Sequence, residues 1–371
     1  MQPRFRPTVA EVDLGAICRN FATLTAHTPP GSRLLAAVKG NAYGHGAPQV
    51  ARALAEAGCD WFGVATVEEG LELRRGGIDQ PILLLSGAGR AGMEASVVNE
   101  LTNVVYDVAA ALRLNEVAVR QQRIVPIHIK VDTGMGRLGV MPAEWSVFLD
   151  AIGACSSLHV EGVLTHFAHA DESPERTAEQ VASFESAIAA VHARGWKPTF
   201  VHADNSAATL GFHHRYNMAR PGISLYGPRP GPSFEPLEPA MALRTEVLFA
   251  KHIPSGTKVS YAGTWTSARP TQLAVLPIGY ADGYPRVLGG RAHVLIHGQR
   301  APIRGRVCMD LTMVDVTDIQ GTIEEGTPVV LFGSQGNARI DVAELAGLAG
   351  TISYEILTGL TERVPRTWIT T

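Results

Sequence analysis

The chain has 371 residues, 46% hydrophobic and 18% charged, with a formal net charge of −3. That is ordinary globular composition, and without a basic stripe or acidic tail it offers nothing to nucleic acid. The length is too great for one small core and suits two domains, or one barrel of about 250 residues with an appendage.

No stretch approaches the roughly 18 apolar residues of a membrane span, and the opening MQPRFRPTVAEVDLG has no apolar signal region. The four cysteines, Cys18, Cys59, Cys155 and Cys308, lie far apart and form no CxxC pair. They predict reduced thiols in a cytoplasmic protein, with no metal centre.

In chain order, AEVDL alternates Ala10, Val12 and Leu14 against Glu11 and Asp13, which predicts a strand over residues 8–14. Asp13 is placed to cap the helix carrying Ile17, Phe21 and Leu24. Short apolar runs then predict strands over Leu34–Lys39, Trp61–Thr66, Pro81–Ser86, Leu101–Asp107, Val125–Asp132, Val160–His166, Phe200–Asp204 and Ala219–Tyr226. Helical periods lie between them; in TAEQVASFESAIAAVHARG, Val181, Phe184, Ile188 and Val191 make one face and Gly195 ends it. Eight strands alternating with helices is the count of a (β/α)8 TIM-type barrel, predicted over 1–240, with an open doubly wound sheet as the alternative. After Ala240 the helical periods vanish and β-type runs appear between turn signals (TQLAVLPIGYADG, AHVLIHGQ, TPVVLFG). They predict a C-terminal mostly-β domain over 241–371, which the strand at 8–14 would join.

The chemistry concentrates at predicted strand ends, the active face of such a barrel. In LLAAVKGNAYGHG, Lys39 closes an apolar run. A desolvated lysine gives up its proton more easily and can condense with an aldehyde, although a strand-end lysine reaching water would look the same. In IHIKVDTGMGRLG, strand parity puts His128, Lys130 and Asp132 on one face and Ile127, Ile129 and Val131 on the other. If the apolar face meets the helices, Lys130 points into the barrel, where it needs a carboxylate partner, loss of its proton or chemical modification. Asp132 as a simple counter-ion remains open.

THFAHAD offers His166 as a hydrogen-bonding residue rather than a metal ligand. The ends of the seventh and eighth predicted strands, HADNSAA and MARPGISLYG, lie where barrels bind phosphate. Asn205, Ser206, Gly222 and Ile223 are the candidates there, beside ordinary cap chemistry, and Arg220 is an internal ion-pair residue or a donor to a ligand ring. PILLLSGAGRAG spells a dinucleotide-type GxGxxG with Gly87, Gly89 and Gly92, and Asp107 follows at the expected distance. It sits on the third predicted strand in a glycine-rich chain, which argues against that reading.

Taken together, AVKGNAYGHG, IKVDTGMGRLG, THFAHAD, ADNSAA, MARPGISLYG, VSYAGTW, PIGYADGYPR and VCMD resemble the alanine racemase family, in its order and nearly end to end. The resemblance implies a pyridoxal phosphate enzyme that interconverts L- and D-alanine with two bases and supplies D-alanine for peptidoglycan. It implies that Lys39 binds the cofactor and serves as one base, and that Tyr261 is the other. Tyr43, Ser206, Gly222, Ile223 and Tyr354 match its phosphate-binding positions. Arg220 matches the donor to the pyridine nitrogen, Arg137 the donor to the phenolic oxygen, and His166 the residue beside the second base. Met309, Asp310, Tyr280 and again Arg137 match the substrate side, and Lys130 a position carbamylated in many members. The working unit implied is a homodimer in which Tyr261 serves the partner's site, with no nucleic acid or membrane partner. Other readings are a racemase of different small amino acids such as serine, a decarboxylase of the same fold type, or a non-catalytic carrier of the cofactor. The decarboxylases use a glycine-triplet loop absent here, and the carriers lack a second domain.

Overall fold

The computed structural model describes residues 5–211, 216–231 and 233–371. Two compact units emerge: Ile17–Ala42 with Ala47–Glu238, and Met1–Ala16 with Tyr43–Gly46 and Pro239–Thr371. Strand β1 (Val9–Asp13) belongs to the second unit.

The first unit holds β2 (Arg33–Ala37), β3 (Trp61–Val64), β4 (Ile82–Leu84), β5 (Leu101–Val105), β6 (Val125–Lys130), β7 (Leu158–Leu164), β8 (Phe200–His202) and β9 (Met218–Ala219). They form one sheet in the order β8-β7-β6-β5-β4-β3-β2-β9, and every neighbouring pair is parallel. The seam between β8 and β9 is bridged by the Arg220 N–H donating to the Asp204 carbonyl at 2.8 Å. The Asn217 side chain adds bonds to Val201 N–H and Thr199 C=O. The sheet thus closes nearly into a barrel, and the open doubly wound alternative is excluded.

Parity along the strands divides the core. Ile127, Ile129 and Val131 face outward and pack with Leu114, Phe148, Phe184 and Ile188 of the surrounding helices. Leu35, Trp61, Leu83, Val104, Leu164 and Met218 fill the interior. Each such side chain contributes about 2 kcal/mol by leaving water. The helices start on local signals. Thr66 and Glu69 form a reciprocal capping box on Val67–Arg75, and Ser173 caps Pro174–His192 ahead of a proline in the first turn.

The strands are shorter than the sequence suggests. They stop at Ala37, Lys130, Leu164 and His202, before Lys39, Asp132, His166 and Asp204, and β9 ends at Ala219 with a 3-10 turn over Ile223–Tyr226. Apolar runs mark burial, whereas the ladder ends where backbone groups bond to loops instead. Asp132 leaves the ladder because its side chain organises the next four residues, as described below. Asp107 caps Val108–Arg120 through the Ala110 N–H, and a Cβ on Gly92 would lie 2.7 Å from Val67. Helix capping and helix packing therefore explain the GxGxxG-like stretch.

In the second unit β1 pairs antiparallel with β10 (Met241–Glu246) and parallel with Arg366–Ile369, inside a seven-stranded sheet. Ala10 and Val12 are buried there as the alternation requires, but the strand stops at Asp13 and Leu14 opens the next helix, with Asp13 accepting from Ala16 N–H. A three-stranded sheet (Phe249–Ile253, Thr271–Leu276, Thr312–Asp315) and a two-stranded ribbon complete the β structure. Two helices, Val342–Ala349 and Ser353–Thr358, correct the expectation that helices end with the barrel. Their signals were short: Asp341 precedes the first, and Gly350 at φ 73° ends it.

Candidate active site

Lys39 stands just past β2, at the head of a turn in which Gly40, Asn41, Ala42 and Tyr43 all have positive φ, between 52° and 61°. Three of these four are not glycine, and each such residue costs of order 1–3 kcal/mol. The Ala42 N–H bonds to the Val38 carbonyl, and the Gly40 N–H to Glu69 Oε1 at 2.6 Å. The helix cap at Glu69 thereby also fixes the turn that carries Lys39. Burial lowers the Lys39 pKa, Arg137 and Arg220 lower it further, and Glu69 opposes them.

Lys39, Lys130, Arg137 and Arg220 act on one another electrostatically, a concentration of positive charge in a buried place. Lys130 is 5% exposed, and its pKa falls to about 8 through burial, Arg220 and Arg137, with Asp132 pulling the other way. Asp132 is not its salt-bridge partner. Its Oδ1 accepts N–H bonds from Gly134, Met135 and Gly136, and its Oδ2 accepts from Arg137. Asp132 thus forms no ion pair with Lys130, although its charge still favours the ammonium. His166 is pushed well below the usual histidine range by burial and then by Arg220, Lys130, Arg137 and Lys39, so it is neutral.

Arg220 is fully inside. Its Nη2 donates to the carbonyls of Thr165 (2.8 Å) and Ala203 (3.0 Å), and its Nη1 to His202 Nδ1 (2.9 Å). Burial brings it down to about 10, against the support of Asp204. Sequence reasoning singled out Arg220 but missed Thr165, His202 and Asp204; their one signal was a polar residue at the end of an apolar strand.

The two predicted phosphate loops meet. Ser206 Oγ accepts from the N–H of Gly222 at 2.9 Å and of Ser224 at 3.4 Å. Ser224, which sequence reasoning passed over, has a buried Oγ with no hydrogen-bond partner. Asn205 is committed to local structure: its Oδ1 accepts from Ala208 N–H and its Nδ2 donates to Phe167 C=O.

The remaining predicted residues belong to the second unit. Tyr43 and Tyr354 have ring centroids 6.0 Å apart, and burial pushes the Tyr43 hydroxyl up. Tyr261, Tyr280 and Met309 are exposed, Tyr261 by 71%. Ser260, beside Tyr261, donates to the Arg306 carbonyl; Tyr280 N–H donates to Cys308 C=O, and Ala281 N–H to Met309 C=O. These bonds knit the loops of Tyr261, Tyr280 and Met309–Asp310 together. Arg363 holds Asp310 at 2.7 Å and reaches the buried Asp282, which also pairs with Arg6.

Residues 12–230 match the alanine racemase N-terminal domain and residues 240–368 the alanine racemase C-terminal domain. The chain belongs to the alanine racemase family. It is 46% identical to an alanine racemase of Symbiobacterium thermophilum, over 97% of both chains. The alanine racemase of a D-cycloserine-producing Streptomyces lavendulae superposes with a TM-score of 0.94 at 36% identity, covering 100% of this chain and 98% of that one. The Bartonella henselae alanine racemase, solved with covalently bound pyridoxal phosphate, gives 0.89 at 31% identity over 99% and 100%. Alanine racemases are isomerases, and the end-to-end match gives this chain both of the family's domains. No described helix is long and apolar enough to cross a membrane, and among the described residues no His, Cys, Asp and Glu cluster suits a metal.

Proposed function

We propose that this chain interconverts L- and D-alanine with pyridoxal phosphate, as a cytoplasmic homodimer supplying D-alanine for peptidoglycan. The observation that carries the reading is the buried cationic cluster around Lys39, which calls for an anionic ligand. The residues fit that cofactor. A phosphate suits the Ser206–Gly222–Ser224 cradle, where a hydroxyl is buried without a partner. Lys39 would hold the group covalently, Tyr43, Ser206, Gly222, Ile223 and Tyr354 its phosphate, Arg220 its ring nitrogen and Arg137 its phenolic oxygen. Asn205 supports this loop by capping it. When bound, the cofactor supplies an electron sink that acidifies the Cα–H of the amino acid.

Racemisation needs a proton taken from one face of Cα and returned to the other. Lys39, whose environment favours the neutral amine, handles the proton on the D-isomer's side. Tyr261 of a partner subunit handles it on the L-isomer's side; its exposure supports a role outside its own unit. His166 stays neutral beside the incoming tyrosine. Arg220 donates a hydrogen bond without surrendering its proton, leaving the ring nitrogen unprotonated. Lys130 carries a carbamate that pairs with Arg137, replacing a buried cation by an anion. Met309, Asp310 and Tyr280 shape the substrate side.

L-alanine incubated in deuterated water with the cofactor-loaded protein should exchange its α-proton and racemise. Borohydride reduction and peptide mapping should put the pyridoxyl mass on Lys39. Loss of CO2 from a basic amino acid, or no exchange at all, would sink the reading, and a panel of L-amino acids including serine measures its breadth.

A further inference from the structure

Behind Arg220 a single hydrogen-bond chain crosses the barrel interior. Arg220 Nη1 lies 2.9 Å from His202 Nδ1, His202 Nε2 lies 2.8 Å from His128 Nδ1, and His128 Nε2 lies 3.3 Å from Glu161 Oε2. Both imidazoles are wholly buried. The two ends set the direction of the chain, because a guanidinium only donates and a carboxylate only accepts. His202 Nδ1 must accept, so its proton is on Nε2 and goes to His128 Nδ1. His128 in turn carries its proton on Nε2 and gives it to Glu161. One neutral tautomer of each ring satisfies every link.

The backbone is shaped around the same groups. The pairing of β6 with β7 slips between Ile127 and His128: Val160 faces Ile127, Gly162 faces His128, and Glu161 is left out of the ladder. Val160 and Val163 both face the outer core, a spacing of three that only a bulge permits. The bulge turns the Glu161 carboxylate toward His128. A Cβ on Gly162 would lie 2.5 Å from the His128 ring, so the bulge residue that opposes His128 has to be glycine.

We propose that His202, His128 and Glu161 are positioning residues that hold Arg220 as a one-way donor toward the cofactor's ring nitrogen. The proposal rests on the role given to Arg220 above. Without an acceptor-only group at its far end, the chain can reverse. His202 would then present an Nδ1–H to the Arg220 N–H groups, donor against donor, and the guanidinium would turn away. Burial keeps both imidazoles from protonating, which preserves the direction.

Nitrogen-15 spectra of histidine-labelled protein test the chain with or without cofactor, the two signals being assigned by their loss in His128→Gln and His202→Gln. The expected result at neutral pH is protonated Nε2 and bare Nδ1 on both rings. An Nδ1–H tautomer or a cationic ring overturns the proposal, whatever becomes of the cofactor. Glu161→Gln keeps shape but can also donate. It should mix the tautomers, move the bound cofactor's absorbance and lower kcat about tenfold with little change in KM, the size of loss seen when outer partners of working groups are removed. Glu161→Asp should restore part of it. Mixed tautomers with unchanged absorbance and kcat would make the chain purely structural and overturn the positioning role. A wild-type protein that binds no pyridoxal phosphate would instead overturn the reading of Arg220, leaving the tautomer result to be judged by itself.

Discussion

The backbone N–H of Arg137 donates to Oδ2 of Asp132 at 3.2 Å, completing a set of four N–H groups, from residues 134 to 137, gathered on one carboxylate. Asp132 therefore acts on the site through the loop that presents Arg137. Burial alone would raise its pKa, but the four donors outweigh burial and hold it below the usual value. A carboxyl depressed in the fold lends stability above its unfolded pKa of about 3.9, and that stability is lost as pH falls through the folded value. Asp132→Asn should lower stability by about 1.5–3 kcal/mol at neutral pH, the scale of hydrogen bonds to a charged group. The variant should differ less from wild type near pH 3, and urea unfolding at the two pH values checks both statements.

Lys130 moves stability in the same direction with pH, but in an alkaline window and through a cost that is relieved rather than a bond that is kept. Its pKa of about 8 in the fold lies below the ordinary lysine value of 10.5, so the cost of burying its charge is complete below pH 8. Between about pH 8 and 10.5 the unfolded chain binds more protons than the native one, and stability should rise with pH. In CO2-free buffer the melting temperature should therefore climb over that interval, and Lys130→Met should abolish Lys130's share of the climb. Bicarbonate should flatten it too, by converting the amine to a carbamate. Lys130→Ala should lose activity and regain part of it with acetate; an uncharged, unmodified Lys130 in a crystal grown with bicarbonate would refute the carbamate.

The proposed homodimer makes a stoichiometric prediction. Lys39→Ala and Tyr261→Phe are each expected to be inactive. After full subunit exchange, half the chains pair with the other variant, and each heterodimer has one intact and one doubly damaged site. Activity should return to about a quarter of wild type, an estimate from two-fold symmetry alone. Verified exchange with no recovery would put both bases in one chain.

Gly279 tests the proposed substrate-side loop. A Cβ there would lie 2.3 Å from the carbonyl oxygens of Cys308 and Met309, and these backbone atoms cannot give way as a flexible side chain can. Gly279→Ala should cost about 1–3 kcal/mol of stability by overpacking. It should also raise KM for alanine by displacing Met309 and Asp310. Thermal melts and steady-state kinetics on the same sample separate the two effects.

The sequence by itself determined the barrel count, the β character of the C-terminal unit, the parity of β6 and the residues at the barrel mouth. All of these follow from periodicity and from glycine-rich or polar loops, which are local. Even Tyr354, on an unanticipated helix, was reached only through the family resemblance and not from its own segment. The tertiary structure decided where the strands stop, because the last ladder bonds depend on what the loops offer in their place. It decided the fate of Asp132, which looked like the partner of Lys130 two residues away but instead serves four backbone donors. It also decided the chain from Arg220 to Glu161. Its links join residues 18, 74 and 33 positions apart, and it needs a bulge and a glycine on the neighbouring strand. A hydrogen bond between strands is set by register, and one inserted residue in a ladder changes which side chains meet.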